Sequence, residues 1–176
     1  MPHQDNMETI RSFMVFLQKL SDITEEEFNK HLLPVCTVRH FAKKEVITKA
    51  GEMEDHFNFI VKGLARKYYK KGAEDINVQI SMEGHMMLSQ ESFHSRQPSE
   101  YTIEAIEPTT LVSIKYDDAE KMFASSQRME HLGRVIVTYS MVIKDKWQMQ
   151  LIKMTPRERF ISFVNKNPEL MQQLAA

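Results

Sequence analysis

Cysteine is almost missing from this chain. Cys36 stands alone, which excludes an internal disulfide, a CxxC redox pair and an iron–sulfur cluster held by several thiolates of one chain. A small buried hydrophobe is the ordinary state of such a residue. Long apolar runs are missing too: none approaches the ~20 residues that span a bilayer. Met1 to Asn6 lacks the basic-then-apolar order of a signal peptide, so a cytoplasmic protein without membrane contact is expected. Excess charge of either sign is absent. Lys and Arg number 23 against 24 Asp and Glu, a net charge of -1, which gives no general attraction to nucleic acid or anionic lipid. DNA contact would need a local basic patch. Repeats and low-complexity segments are absent, as are a Gly-rich phosphate loop, an HExxH helix and a Ser-His-Asp order, so no enzymatic activity is expected. His85 and His94 have no third ligand at standard spacing, and neither a metal nor a cofactor is expected.

What is present is the composition of an ordinary soluble protein, with 42% hydrophobic and 27% charged residues in a chain of 176. That is long enough for one filled core plus an extension. Ile10, Phe13, Met14, Leu17 and Leu20 recur at three and four, which predicts an amphipathic helix over 7–20. Thr24 with Glu27 forms a capping box, in which hydroxyl and carboxylate each satisfy a free backbone N–H. It starts a short helix that ends before Pro34.

From Val35 the texture changes, and β-branched and aromatic residues alternate with polar ones between closely spaced turn residues. Strands are predicted at 35–41, 45–48, 57–69, 75–82, 101–107 and 110–115. Lys71-Gly72 joins a long hairpin and Pro108 closes another. No helix-length pattern separates the strands, so the sheet should be mainly antiparallel, a sandwich or roll.

Asp117 with Glu120 is a further capping signal, opening a short helix through Phe123. After Ser125-Ser126 the chain runs to Met154 without a proline, a helix of about 43 Å at 1.5 Å per residue. Met129, Leu132, Ile136, Tyr139 and Ile143 alternate steps of three and four, while Val135, Val142 and Met149 lie on an adjacent line at steps of seven. Two apolar lines suggest two neighbours, the chain's own roll and a second copy related by a two-fold axis. One wide stripe packed within a monomer is the alternative. Leu132, Ile136, Tyr139 and Ile143 are the candidate dimer contacts. Thr155-Pro156-Arg157-Glu158 starts a last helix, and Asn167-Pro168 ends its first stretch.

In this order the segments resemble the Crp/Fnr superfamily of bacterial regulators, whose sensor half is the cyclic-nucleotide-binding β-roll. The likeness runs through RHFAKKEVITKAGE, FNFIVKGLARKYY, YTIEAIEPTTLVSIKYDDAEKMF and the long helix. KKEVITKAGE is similar to the family pattern K-G-E-x-I-x-x-x-G-E, with Lys44 in place of the first glycine. Gly51 and Gly63 sit where strands turn sharply, as glycine alone does at no steric cost. The fold class implied is α+β, mainly β: an antiparallel, jelly-roll-like β-roll flanked by N-terminal helices and a long C-terminal dimerisation helix. Its segments would be 1–34 (helices), 35–116 (effector-binding roll), 117–154 (short and dimerisation helices) and 155–176 (the first helix of an incomplete winged-helix domain).

In members of that family that bind cyclic AMP, the cassette resembles F-G-E-x-x-L…R-[AST]-A. The glutamate takes the ribose hydroxyl and the arginine pairs with the cyclic phosphate. Anchoring on Ile103-Glu104-Ala105 places Leu88 and Ser89 at the Gly-Glu positions and Ser99-Glu100 at the Arg-Ser positions. The ligand-binding candidates are therefore Leu88, Ser89, Glu91, Arg96, Ser99 and Glu100, with Arg96 a possible substitute anion partner. The inner face of the roll is expected to offer no fixed positive group, so cyclic AMP is disfavoured. Met82, Met86, Met87 and Leu88 leave room for an apolar effector. A homodimeric sensor module is expected, with DNA a partner only where a helix-turn-helix follows. A stand-alone dimeric scaffold is the alternative.

Overall fold

The computed structural model describes residues 4–166 and Pro168. Helix α1, Gln4–Leu20, buries the predicted stripe through Ile10, Phe13 and Leu17. Phe13 stands 6.3 Å from the Phe28 ring and 5.3 Å from the Phe59 ring, so the helix is fastened by aromatic edges as well as by area. The Thr24–Glu27 box forms as expected, opening α2, Glu25–Glu27. The chain then widens into a π turn, Phe28–Leu32, and tightens into a 3₁₀ turn, Leu33–Val35, that carries Pro34.

Among the described residues seven strands follow: β1 Cys36–Phe41, β2 Val46–Thr48, β3 His56–Lys62, β4 Leu64–Lys71, β5 Glu74–Met82, β6 Thr102–Ala105 and β7 Thr109–Lys115. They form one sheet of order β1-β7-β3 and another of order β2-β6-β4-β5, with every pairing antiparallel. The single strand expected over 57–69 is corrected: Gly63 breaks it, sending β3 to one sheet and β4 to the other. Gly63 has φ of +101°, and a Cβ there would lie 2.6 Å from the Pro108 carbonyl oxygen, so glycine is required both by conformation and by space. Lys44, which the family pattern aligns with glycine, also takes a left-handed φ, 68°. Its N–H bond to the Ala105 carbonyl, 2.7 Å, offsets a strain of about 1 kcal/mol.

The core between the sheets is made by Phe41, Ile60, Ala65, Met87, Ile103, Ala105 and Leu111. Between β5 and β6 lies a helix absent from the expectations, α3, Gln90–Ser95. Helix α4, Tyr116–Ala124, begins without a side-chain cap; the capping role expected of Asp117 is corrected, because Asp117 already lies in the first turn. Helix α5 spans Gln127–Lys153 and α6 spans Pro156–Lys166. At α6 the expected box is present, with the Thr155 N–H donating to Glu158 Oε2 at 2.8 Å and the Glu158 N–H to Thr155 Oγ1 at 3.3 Å. The stop expected at Asn167 and the residues after Pro168 lie outside the described residues. Two compact units divide the chain, Met1–Gly133 and Arg134–Ala176. No helix among the described residues is long and apolar enough to cross a membrane.

Candidate functional site

The segment between β5 and β6 is held to the roll at both ends. At its start the Met87 N–H donates to the Asn58 carbonyl and the Ile60 N–H to the His85 carbonyl, each at 2.9 Å. At its end the Ser99 N–H donates to the Glu52 carbonyl and the Gly51 N–H to the Ser99 carbonyl, each at 2.8 Å. This closure buries Met87, Leu88, Ser89 and Ser99 and leaves Glu91 and Glu100 exposed. Met82 and Met86 are half-buried. The six candidates therefore separate, with Leu88, Ser89 and Ser99 inside and the two carboxylates outside.

Ser89 and Ser99 meet. Their hydroxyls lie 2.8 Å apart, and Ser99 Oγ also accepts from the Tyr101 N–H at 3.0 Å. The two ends of the segment between β5 and β6 are joined here by a hydroxyl–hydroxyl bond. Among the described residues no buried side-chain nitrogen or oxygen lacks a partner.

Beneath this pair is a residue that sequence reasoning missed. Glu54 is only 2% exposed. Its Oε2 accepts from the Thr48 hydroxyl at 2.8 Å and the Ser89 N–H at 3.3 Å, and its Oε1 accepts from the His56 N–H at 3.2 Å. Burial raises the Glu54 carboxyl above its ordinary value, against those hydrogen bonds and the charge of Arg39. Burial likewise lowers Arg39 and His56. The Glu54 N–H donates to Ser92 Oγ at 2.9 Å, which anchors α3. The only sequence signal was a glutamate followed by acid and histidine in a turn, a pattern common on surfaces.

Arg96 does not point at the serine pair. It has a left-handed φ of 55°, and its guanidinium donates to the Glu54 carbonyl at 3.0 Å, pairs with Asp55 and lies 3.9 Å from the Tyr116 ring centroid. Three partners hold it against the entrance to β3 and the start of α4. The expectation that the inner face carries no cation is corrected by Lys67. On β4 this residue pairs with Ile103, as Ala65 pairs with Ala105; the three partners other than Lys67 are in the core, so the lysine stem shares their face. Its ammonium donates to the Leu88 carbonyl at 3.3 Å and lies 5.4 Å from the Tyr101 ring centroid. Sequence could not show this, because KYYKK reads as one basic run until the bulge between Lys67 and Tyr68 sets which side each residue takes.

His85 is exposed, with Nδ1 3.1 Å from the Glu83 carbonyl oxygen. Burial lowers the titration of His94. Among the described residues no group of three His, Cys, Asp or Glu side chains could hold a metal. Burial also pushes the Cys36 thiol up to about 12, which makes it a poor nucleophile. Of the candidate dimer contacts, Leu132 and Ile136 are 2% and 7% exposed in the single chain, Tyr139 is half-buried and Ile143 is 47% exposed.

The roll with its closed cassette is the geometry by which the chain can be compared with known proteins. The family model described as the cyclic nucleotide-binding domain matches residues 38–126, half of the chain. The chain belongs to the cyclic nucleotide-binding domain family. Among solved structures, a cyclic nucleotide-binding domain from Methylobacillus flagellatus KT is 12% identical with a TM-score of 0.70, covering 84% of this chain and 85% of that one. The sensor domain of the transcriptional regulator DNR from Pseudomonas aeruginosa is 12% identical with a TM-score of 0.58, covering 87% and 95%. The catabolite activator protein of Thermus thermophilus is 14% identical with a TM-score of 0.60 over 74% of this chain; the chain spans 61% of that protein's length. Among curated proteins none matches. In this member of the cyclic nucleotide-binding domain family the segment between β5 and β6 holds two buried serines, with the buried Glu54 and the β4 residue Lys67 bonded to it.

Proposed function

We propose that this protein is the sensor and dimerisation part of a Crp/Fnr-like transcription regulator, cytoplasmic and non-enzymatic, whose cassette no longer takes cyclic AMP. In this reading residues 35–116 form the effector domain, 117–154 pair two copies, and 155–176 begin a DNA-binding part. The observation that carries it is the Ser89–Ser99 hydroxyl bond in the place of the ribose- and phosphate-binding pair. A cyclic phosphate there would displace that bond, meet Glu54 through the shared Ser89 amide and gain no guanidinium, since Arg96 is tied elsewhere. A charge-assisted pair of that kind is worth about 1.5–3 kcal/mol. The uncovered apolar residues of α5, among them Met141, Val142, Ile143 and Trp147, support a second copy as neighbour.

Calorimetry with cyclic AMP and cyclic GMP tests the cassette. No heat is expected at micromolar nucleotide. A micromolar isotherm that disappears in Lys67→Ala would overturn the reading and assign the phosphate to Lys67. The self-satisfied cassette also favours a second reading, a dimeric scaffold without any effector. Reading frame beyond Ala176 that encodes a helix-turn-helix supports the regulator; native mass spectrometry of cell-purified protein with no bound small molecule supports the scaffold.

A further inference from the structure

At α1 and the turns after it lies a hollow of about 320 Å³ that opens to solvent, near the lower end of the range of about 300–1,000 Å³ usual for small-ligand sites. Its floor is apolar and comes from Met7, Ile10, Met14, Phe28 and Leu33. Two of these are methionines, which adapt to the shape of an occupant. Phe28 opens the π turn Phe28–Leu32, and such turns are rare and gather at functional sites.

The rim carries one charge of each sign. Arg11 Nη2 lies 3.9 Å from Glu25 Oε1, and the two side chains are 66% and 60% exposed, so water screens the pair and a ligand can exchange for it at little cost. A purely anionic ligand would meet Glu25, and a purely cationic one would meet Arg11. A molecule with an adjacent carboxylate and ammonium on an apolar body satisfies both.

We infer that this hollow binds a hydrophobic α-amino acid, its carboxylate on Arg11, its ammonium on Glu25 and its side chain against the half-buried Met7, Met14 and Leu33. The guanidinium fork suits a carboxylate, and the apolar lining suits a hydrophobic side chain. The site shares no residue with the cassette, and the inference does not rest on the function proposed above.

Titration of the full chain with L-phenylalanine, phenethylamine and 3-phenylpropionate tests it. L-Phenylalanine should bind at one site per chain, about tenfold more tightly than either half-molecule. Arg11→Gln should erase its advantage over phenethylamine, and Glu25→Gln its advantage over phenylpropionate. Both residues are at the surface, so the melting curves should be close to wild type, and methyl resonances of Met7 and Met14 in the unmodified protein give a readout that needs no variant. The inference fails if those methyls do not shift up to about 10 mM amino acid. It fails equally if all three compounds bind alike in wild type and Arg11→Gln, which marks unspecific filling, or if Arg11→Gln changes the oligomeric mass, which marks a second copy as the occupant.

Discussion

A buried carboxylate is costly to place inside a roll, and Glu54 is 2% exposed. Glu54 stays inside because three donors converge on it, which is the usual condition for burying a charge. Glu54→Ala would leave the Thr48 hydroxyl and the His56 and Ser89 amides without their acceptor. A loss of about 3 kcal/mol is expected, measured as a lower urea midpoint with unchanged slope. A surface-like effect of under about 0.5 kcal/mol would contradict the bonding described. The same residue orders the cassette, since its amide holds Ser92 and its carboxylate holds Ser89. Glu54→Ala keeps that backbone amide but frees Ser89, the residue that precedes α3, so α3 should loosen first, visible as faster amide exchange there than in β7.

Elements distant in sequence are tied by one arginine at the start of α5. Arg128 Nε donates to Glu27 Oε1 at 2.8 Å, and its Nη1 donates to Asp22 Oδ1 at 3.1 Å. Arg128 first, then the Thr24 amide, pulls the Glu27 carboxyl from 4.5 down to about 2. A carboxyl with a depressed folded value contributes stability that is complete above its unfolded value and is lost as pH falls through the folded one. Glu27→Gln should melt below wild type at neutral pH, and the gap should begin to close below pH 4.5 and be gone near pH 2. A gap independent of pH, followed by circular dichroism, would show that only the capping geometry matters. The same scale explains why α3 was illegible. Its six residues have no periodicity, and the helix exists because Phe93 packs 5.1 Å from the Tyr116 ring and Ser92 meets Glu54, partners from other parts of the chain.

At the scale of the whole molecule the proposed pairing runs along α5. Val142 and Ile143 are exposed in the single chain, so changing both to Glu should cost that chain little while placing charges in the proposed seam. The double variant is expected to scatter light at half the wild-type mass with the same circular dichroism spectrum. A wild type that is already monomeric at high concentration would remove the dimer. Ile136→Glu is the contrasting case: at 7% exposure it should damage the fold of one chain before any partner is involved.

Local signals determined much of this protein from sequence alone. The stripe of α1, both Thr–Glu boxes, the strands β1, β2, β5, β6 and β7 and the long α5 were legible, because periodicity and capping act within a few residues. Tertiary structure decided the rest. It split the run at Gly63 between two sheets, turned Lys67 inward and Arg96 away, buried Glu54 and left Ile143 bare while covering Leu132. Each of these depends on which distant atoms close around a residue, and burial and charge pairing are properties of that enclosure rather than of neighbours along the chain.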